Sequence, residues 1–317
     1  MVALILLIVL VIKGPFKIEQ IQLVLSQKKI LLLGFGLLGL QMLLFSARWM
    51  LFTKQVTSLN FSKILKLSLI GQFFSFFIPG GVSGDVVKAL ELAHKTKISR
   101  TTALSTVLAD RVFGLFAMIL LSAIFLLAEF LEQPTPLIQK FLLINTSILF
   151  VLTIGLLITP YLVKHLEVQA EKYSSSLLKK ILKLIDSLSL TFTSFRNYKI
   201  QLRNFVVCSA AQLITVTFIY EVVKALNVSP PAFFVFFALC CFGFLVIAIP
   251  ITPAGIGVGQ TALYFLFSTF SHEMGQAAVT ALSLFQLFTL FYALFGGLLF
   301  SIKTKQTKVS TYAETKN

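Results

Sequence analysis

Charged residues are scarce in this chain. Only 12% of its 317 residues are Asp, Glu, Lys or Arg, about half the share of a soluble domain. With 57% hydrophobic residues and a mean hydropathy of +0.93, a soluble globular protein is excluded. No long polar segment interrupts the apolar runs, so no separate soluble catalytic domain is expected. Cysteine is nearly absent: Cys208, Cys240 and Cys241 all lie in apolar spans with no histidine close in sequence. That excludes a disulfide framework and a zinc site, and no metal ligand set is expected. The three histidines, His94, His165 and His272, are scattered, and no serine or cysteine nucleophile has an obvious base. No GxxxxGK[ST] stretch occurs, so the chain does not power itself with ATP. No cofactor is expected, and the chain reads as a non-enzyme.

The apolar runs that remain have helical length rather than the alternation of barrel strands. The expected fold is an all-α polytopic membrane bundle of about 6–8 spans, forming one domain over residues 1–302 with a basic tail at 303–317. The formal charge of +15 does not point to nucleic acid. Nineteen of the 27 Lys and Arg residues fall in four segments: 54–66, 88–100, 164–203 and the tail from Lys303. Basic segments of this kind stay cytoplasmic and attract anionic lipid. Met1 to Ile12 reads as a curtailed first span, since it lacks the basic start and cleavage site of a signal peptide. Lys13, Lys17, Lys28 and Lys29 run against the charge rule if the connection after it is external. Residues 166–200 read as an amphipathic helix: Leu177, Ile181, Ile185 and Leu188 recur at helical spacing, with Lys179, Lys180 and Lys183 on other faces. Such a helix suits the inner leaflet or a cytoplasmic linker.

Two breaks organise the chain. The run from Leu65 to Ile78 stops at Pro79, Gly80 and Gly81, and helical pattern resumes after Ser83, Gly84 and Asp85. The run from Phe233 to Ile249 stops at Pro250, Pro253, Gly255, Gly257 and Gly259, and resumes at Gln260. Proline removes a donor and glycine admits positive φ, so a helix cannot pass through either point. Broken helices at membrane depth persist only inside protein or beside a wet cavity. One interrupted element in each half matches the pattern of inverted-repeat transporters, and the lysines flanking the first read it as a re-entrant hairpin. The second either enters from outside or belongs to a full crossing and return; charge allows both.

Four charges lie within these apolar elements: Arg48, Asp85, Asp110 and Arg111. Asp110 and Arg111 each cost about 3 kcal/mol at the bilayer centre. Neighbours on a helix do not face each other, so each needs a partner elsewhere. Arg48 and Asp85 are the candidates, and the four sum to zero. Ser83 or Asp85 could instead cap the resumed helix. The exposed amides of such a half-helix end could also hold a phosphate or carboxylate, with the arginines adding planar donors. Glu221 and Lys224, one turn apart, read as an interfacial pair.

These residues carry a resemblance. FIPGGVSGD over Phe77–Asp85, followed by LADRVFG over Leu108–Gly114, resembles the first signature of the lysylphosphatidylglycerol synthase transmembrane, or flippase-like, family. Arg48 and Trp49 are similar to the family's Arg-Trp on an earlier span, and PITPAGIGVG over Pro250–Gly259 resembles its second signature. Three positions depart from the pattern: Ser83 and Ala254 stand at usual glycines, and Gln260 at a frequent acid. The resemblance implies a multi-helix domain of a bacterial inner membrane that moves lipids or glycolipids between leaflets, with anionic phospholipid or glycolipid head groups as partners. It places Arg48, Asp85, Asp110 and Arg111 on the substrate path. The soluble aminoacyl-transfer domain of two-part members is absent, so synthesis of the lysyl lipid is not expected. A membrane-embedded transferase, a noncatalytic partner of a lipid-modifying enzyme and a solute transporter are the other readings of the same residues.

Overall fold

In the computed structural model, residues 18–78, 83–170, 198–249 and 251–314 are described. They form ten α-helices and no strand: α1 (Ile18–Leu25), α2 (Lys28–Thr53), α3 (Phe61–Phe77), α4 (Ser83–Thr96), α5 (Arg100–Glu132), α6 (Pro136–Ala170), α7 (Tyr198–Ala225), α8 (Phe233–Ala248), α9 (Val258–Phe267) and α10 (His272–Glu314). Five contain segments long and apolar enough to cross a membrane: Lys28–Thr53, Arg100–Glu132, Pro136–Gly155, Gln201–Ala225 and His272–Ile302. The fold is thus a polytopic helical membrane bundle. Met1–Ile12, Pro79, Gly80, Gly81, Pro250 and most of the amphipathic stretch (171–197) lie outside the described residues. The stretch from Lys303 begins as an extension of α10, which runs on to Glu314.

Local signals start the helices where polar caps occur. The Asn60 side chain accepts from the Lys63 N–H at 3.3 Å, opening α3, and Ser99 Oγ accepts from the Thr102 N–H at 3.0 Å, opening α5. Each satisfies a donor that the first helical turn leaves without a partner. Antiparallel packing then orders the bundle. α2 runs against α7 from the Lys29–Glu221 ion pair (2.6 Å), past Gln41 and Thr215, to Arg48 and Cys208. Glu221 also pairs with Lys224 at 3.3 Å, so the expected Glu221–Lys224 pair has a third member. It supplies a counter-charge to a lysine that the charge rule left out of place.

The helices on either side of each break pack against one another as a helical hairpin. In α3/α4, Ser83 Oγ donates to the carbonyls of Phe74 (3.2 Å) and Ile78 (3.0 Å). A Cβ on Gly84 would collide with Ser75 Oγ and the Gly71 carbonyl; only glycine lets these backbones approach so closely. In α8/α9, Phe236 packs on Phe267 with centroids 4.8 Å apart, and Gly243 and Gly259 abut Leu263 and Ile247. Gly84 and Gly259 therefore lie inside the first turns of α4 and α9 as packing residues. The chain turns with positive φ at Ala254 (50°), Gly255 (70°) and Gly257 (89°).

Both hairpins lie along α10, from opposite ends. α3 runs against its later half, with Phe73 on Gly297 and Phe74 on Phe300 (5.0 Å between centroids). α9 runs against its earlier half, with Tyr264 and Ser268 at Gly275 and Gln260 at Gln286. The end of α3 and the turn before α9 meet between these halves, where Phe76, Ile256 and Ala293 form a buried cluster joined by Phe77 and Ala254. The main core, built on fully buried Phe218, Phe236, Phe237 and Phe267, lies on the α8/α9 side. α6 packs mainly on α5 and leaves Leu143, Phe150, Val151 and Leu157 exposed, the surface expected of a lipid-facing helix.

Candidate functional site

The four intramembrane charges resolve into two ion pairs that cross between helices. Arg48 on α2 holds Asp110 on α5 through two parallel contacts, Nε to Oδ1 at 2.7 Å and Nη2 to Oδ2 at 3.1 Å. Its third nitrogen, Nη1, donates to Cys208 Sγ at 3.2 Å. This planar fork against a carboxylate is the strong geometry for an arginine pair. Both side chains are under 10% exposed. Gly114, one turn beyond Asp110, makes the room: a Cβ there would stand 2.6 Å from Arg48 Nη1.

Arg111 on α5 pairs through Nε with Asp85 on α4. This pair is less enclosed, since 38% of the Arg111 side chain stays exposed. The two pairs leave α5 on different sides because Asp110 and Arg111 are adjacent residues, about 100° apart around the axis. Asp85 lies in the first turn of α4, but its carboxylate reaches to α5. Ser83 Oγ serves the carbonyls at the end of α3, so its hydroxyl donates to α3.

Lys88, one turn after Asp85, brings its ammonium 3.9 Å above the Trp49 ring, a cation–π contact. Trp49 is fully buried and its indole donates to Thr106 Oγ1 at 3.3 Å. Three cations (Arg48, Lys88, Arg111) and two carboxylates (Asp85, Asp110) thus gather here, a net charge of +1. Sequence reasoning passed over Lys88, which stands among the lysines of a basic segment. The available signal was its spacing, one helical turn from Asp85.

A cavity of about 550 Å³ opens between α2, α3, α5, α7, α8, α10 and the Pro253–Gly255 turn. Arg48 and Arg111 reach its wall, together with Ala254 and Gly255 from the second break and Ser75 and Phe76 beside the first. The remaining polar lining is neutral and was not anticipated: Gln41, Gln72, Gln212, Thr215, Gln286, Thr289 and Tyr292. Glutamines inside apolar helices were the available signal, because an amide out of water is costly unless it finds partners. Gln41 binds Thr215, whereas the side chains of Gln72 and Gln212 make no hydrogen bond among the described residues.

Gln260 stands just behind the second tip, 3% exposed. Its Oε1 accepts from the Gly257 N–H at 2.8 Å. Its Nε2 donates to Gln286 Oε1 at 2.6 Å, and Gln286 Nε2 donates to the Ala254 carbonyl at 3.2 Å. Two glutamines thereby satisfy backbone groups that the break would leave bare. An amide does this with one donor and one acceptor, where a carboxylate would supply acceptors alone.

No curated protein and no solved structure matches the chain. The sequence model of the family described as the lysylphosphatidylglycerol synthase TM region matches residues 1–296. That span takes in both hairpins, both ion pairs and the cavity wall, and the chain belongs to this family, whose members are membrane proteins linked to lipid handling.

Proposed function

We propose that this protein is a translocase that passes an amphiphile with a charged, phosphate-bearing head across the bacterial inner membrane. The observation that carries the reading is the cavity at the meeting of the two tips, with Arg48 and Arg111 on its wall. The head enters this cavity while the tails stay in lipid. Arg111, paired with Asp85 yet partly exposed, takes the head's negative charge, and Asp85 recovers its partner when the head leaves. Arg48 and Asp110, both under 10% exposed, hold α2 to α5 and keep the cavity's shape.

The reading treats both hairpins as re-entrant elements of an inverted pair, the first from the cytoplasm and the second from outside. Their approach to the middle of α10 from opposite ends supports this, since a half-crossing from each side leaves a thin barrier between two openings. The basic segments and the tail are cytoplasmic in this arrangement. Transport is assigned rather than catalysis, with no ATPase in the chain.

Reconstitution with fluorescent phospholipid and dithionite quenching tests it. Wild-type protein should equilibrate the probe between leaflets. Arg111→Ala should slow this by roughly tenfold or more, equivalent to about 1.4 kcal/mol in the barrier. Equal rates across several anionic lipids would refute the role of Arg111.

A further inference from the structure

We infer that Lys88 is a positioning residue: when Arg111 turns to an anion, the Lys88 ammonium leaves Trp49 and takes the place of Arg111 on Asp85. The inference rests on the translocase reading for the anion, but its starting geometry stands apart from it. The Lys88 stem lies along α3 at Gly71, where an added Cβ would stand 3.1 Å from Lys88 Cβ. Its ammonium reaches 3.9 Å above the fully buried ring of Trp49. Among the described residues that ammonium makes no hydrogen bond or ion pair. A ring face attracts a cation, but it is a weaker acceptor than the oxygens that three N–H donors seek. Lys88 is therefore held lightly, and a carboxylate stands one helical turn away on the same helix.

The charges explain why such an exchange is needed. At rest two arginines hold two carboxylates, and Lys88 is the surplus cation of the cluster. An anion on Arg111 would strand Asp85, whose side chain is only 13% exposed, and an enclosed carboxylate without a cation is strongly disfavoured. A turn of the Lys88 side chain removes that cost, because residues three apart on a helix are neighbours. After the exchange Arg48 still holds Asp110, Lys88 holds Asp85 and Arg111 holds the anion. Every charge has a partner, and the net charge of +1 becomes zero. Without Lys88, the anion and Asp85 would compete for one guanidinium, and passage would slow although the resting pair is intact.

Trp49 is the chain's only tryptophan, so its emission reports whether the ammonium lies on the ring. The comparison uses full-length proteins in detergent. Lys88→Met should give a bare-ring spectrum, distinct from wild type. Arg111→Gln, which frees Asp85 without any ligand, should shift the emission to that of Lys88→Met. Adding Asp85→Asn to Arg111→Gln should return it to the wild-type spectrum, a reversal that a merely structural lysine would not show. Wild-type emission from Lys88→Met or from Arg111→Gln overturns the inference. So does a double variant that stays at the bare-ring spectrum, the result if Lys88 turned to Glu91 instead. Should Arg111→Gln not fold, lipid movement in vesicles decides. Lys88→Met should slow it by roughly tenfold and Lys88→Arg should restore it; an unchanged rate in Lys88→Met overturns the inference and leaves the translocase reading standing. The emission shifts without any lipid movement by the wild-type protein would sink the translocase reading and leave the exchange standing.

Discussion

The two hairpins solve one geometric problem with different chemistry. Each brings a broken helix to the middle of α10, where bare backbone groups would meet hydrocarbon. At the first, charge gathers: Asp85 reaches Arg111, Lys88 covers Trp49, and Arg111 remains partly open to the cavity. At the second, two neutral glutamines bond the break from behind, leaving Gln260 almost fully enclosed. Charge costs most when dry, so it sits where a cavity and counter-ions can solvate it. Amides carry donor and acceptor together and can satisfy a dry break without a net charge. The first hairpin is therefore the charged one, and the second is a neutral, internally bonded strut.

The comparison breaks most visibly at Asp110. Asp110→Ala leaves Arg48 enclosed without its carboxylate and should cost about 3–5 kcal/mol of stability, read as a large fall in Tm in detergent. A loss below about 1 kcal/mol, the worth of a surface pair, would remove this pair as the anchor of the charged side. A smaller effect is expected on the strut. Gln286→Leu takes the 2.6 Å acceptor from Gln260 Nε2, which keeps only Ser283 Oγ at 3.3 Å, and takes the donor from the Ala254 carbonyl, at about 1–3 kcal/mol for a buried group left unpaired. Hydrogen exchange should accelerate at Gly257 and its neighbours, while the segment around Asp85 keeps its protection. Faster exchange at both tips would show that the hairpins are not separate devices. The smallest effect is a gain. Ala254 holds φ near 50°, which disfavours a residue with Cβ by about 1 kcal/mol. Ala254→Gly should raise Tm slightly, by under about 1 kcal/mol once the added freedom of the unfolded chain is subtracted; a lower Tm would show that the methyl's contact with the Phe76 cluster outweighs the strain.

The four charges were legible from the sequence because ionised groups in apolar helices stand out, and adjacency on one helix ruled out Asp110 with Arg111. The breaks were legible because proline and glycine act on the local backbone. Gly84 and Gly259 were grouped with the breaks for the same reason, yet their role is contact between helices. Gln72, Gln212 and Gln286 were not singled out. A neutral amide interrupts an apolar helix much as a serine or threonine does, without any pattern that says what it faces. Lys88 was hidden by its neighbours in a basic stretch.

Composition and local stereochemistry determined the all-helical membrane fold, the two interruptions and the presence of buried charges in need of partners. These follow from properties that act within a few residues: side-chain transfer cost, the missing proline N–H and the 3.6-residue turn. The tertiary structure alone decided that Arg48 takes Asp110 across 62 positions, that Arg111 takes Asp85, and that Phe76 and Ile256, from the two separate hairpins, share one cluster with Ala293. Pairing and cavity shape depend on how separate helices are rotated and staggered against one another, and that is fixed by the sum of many interhelical contacts rather than by any single stretch of chain.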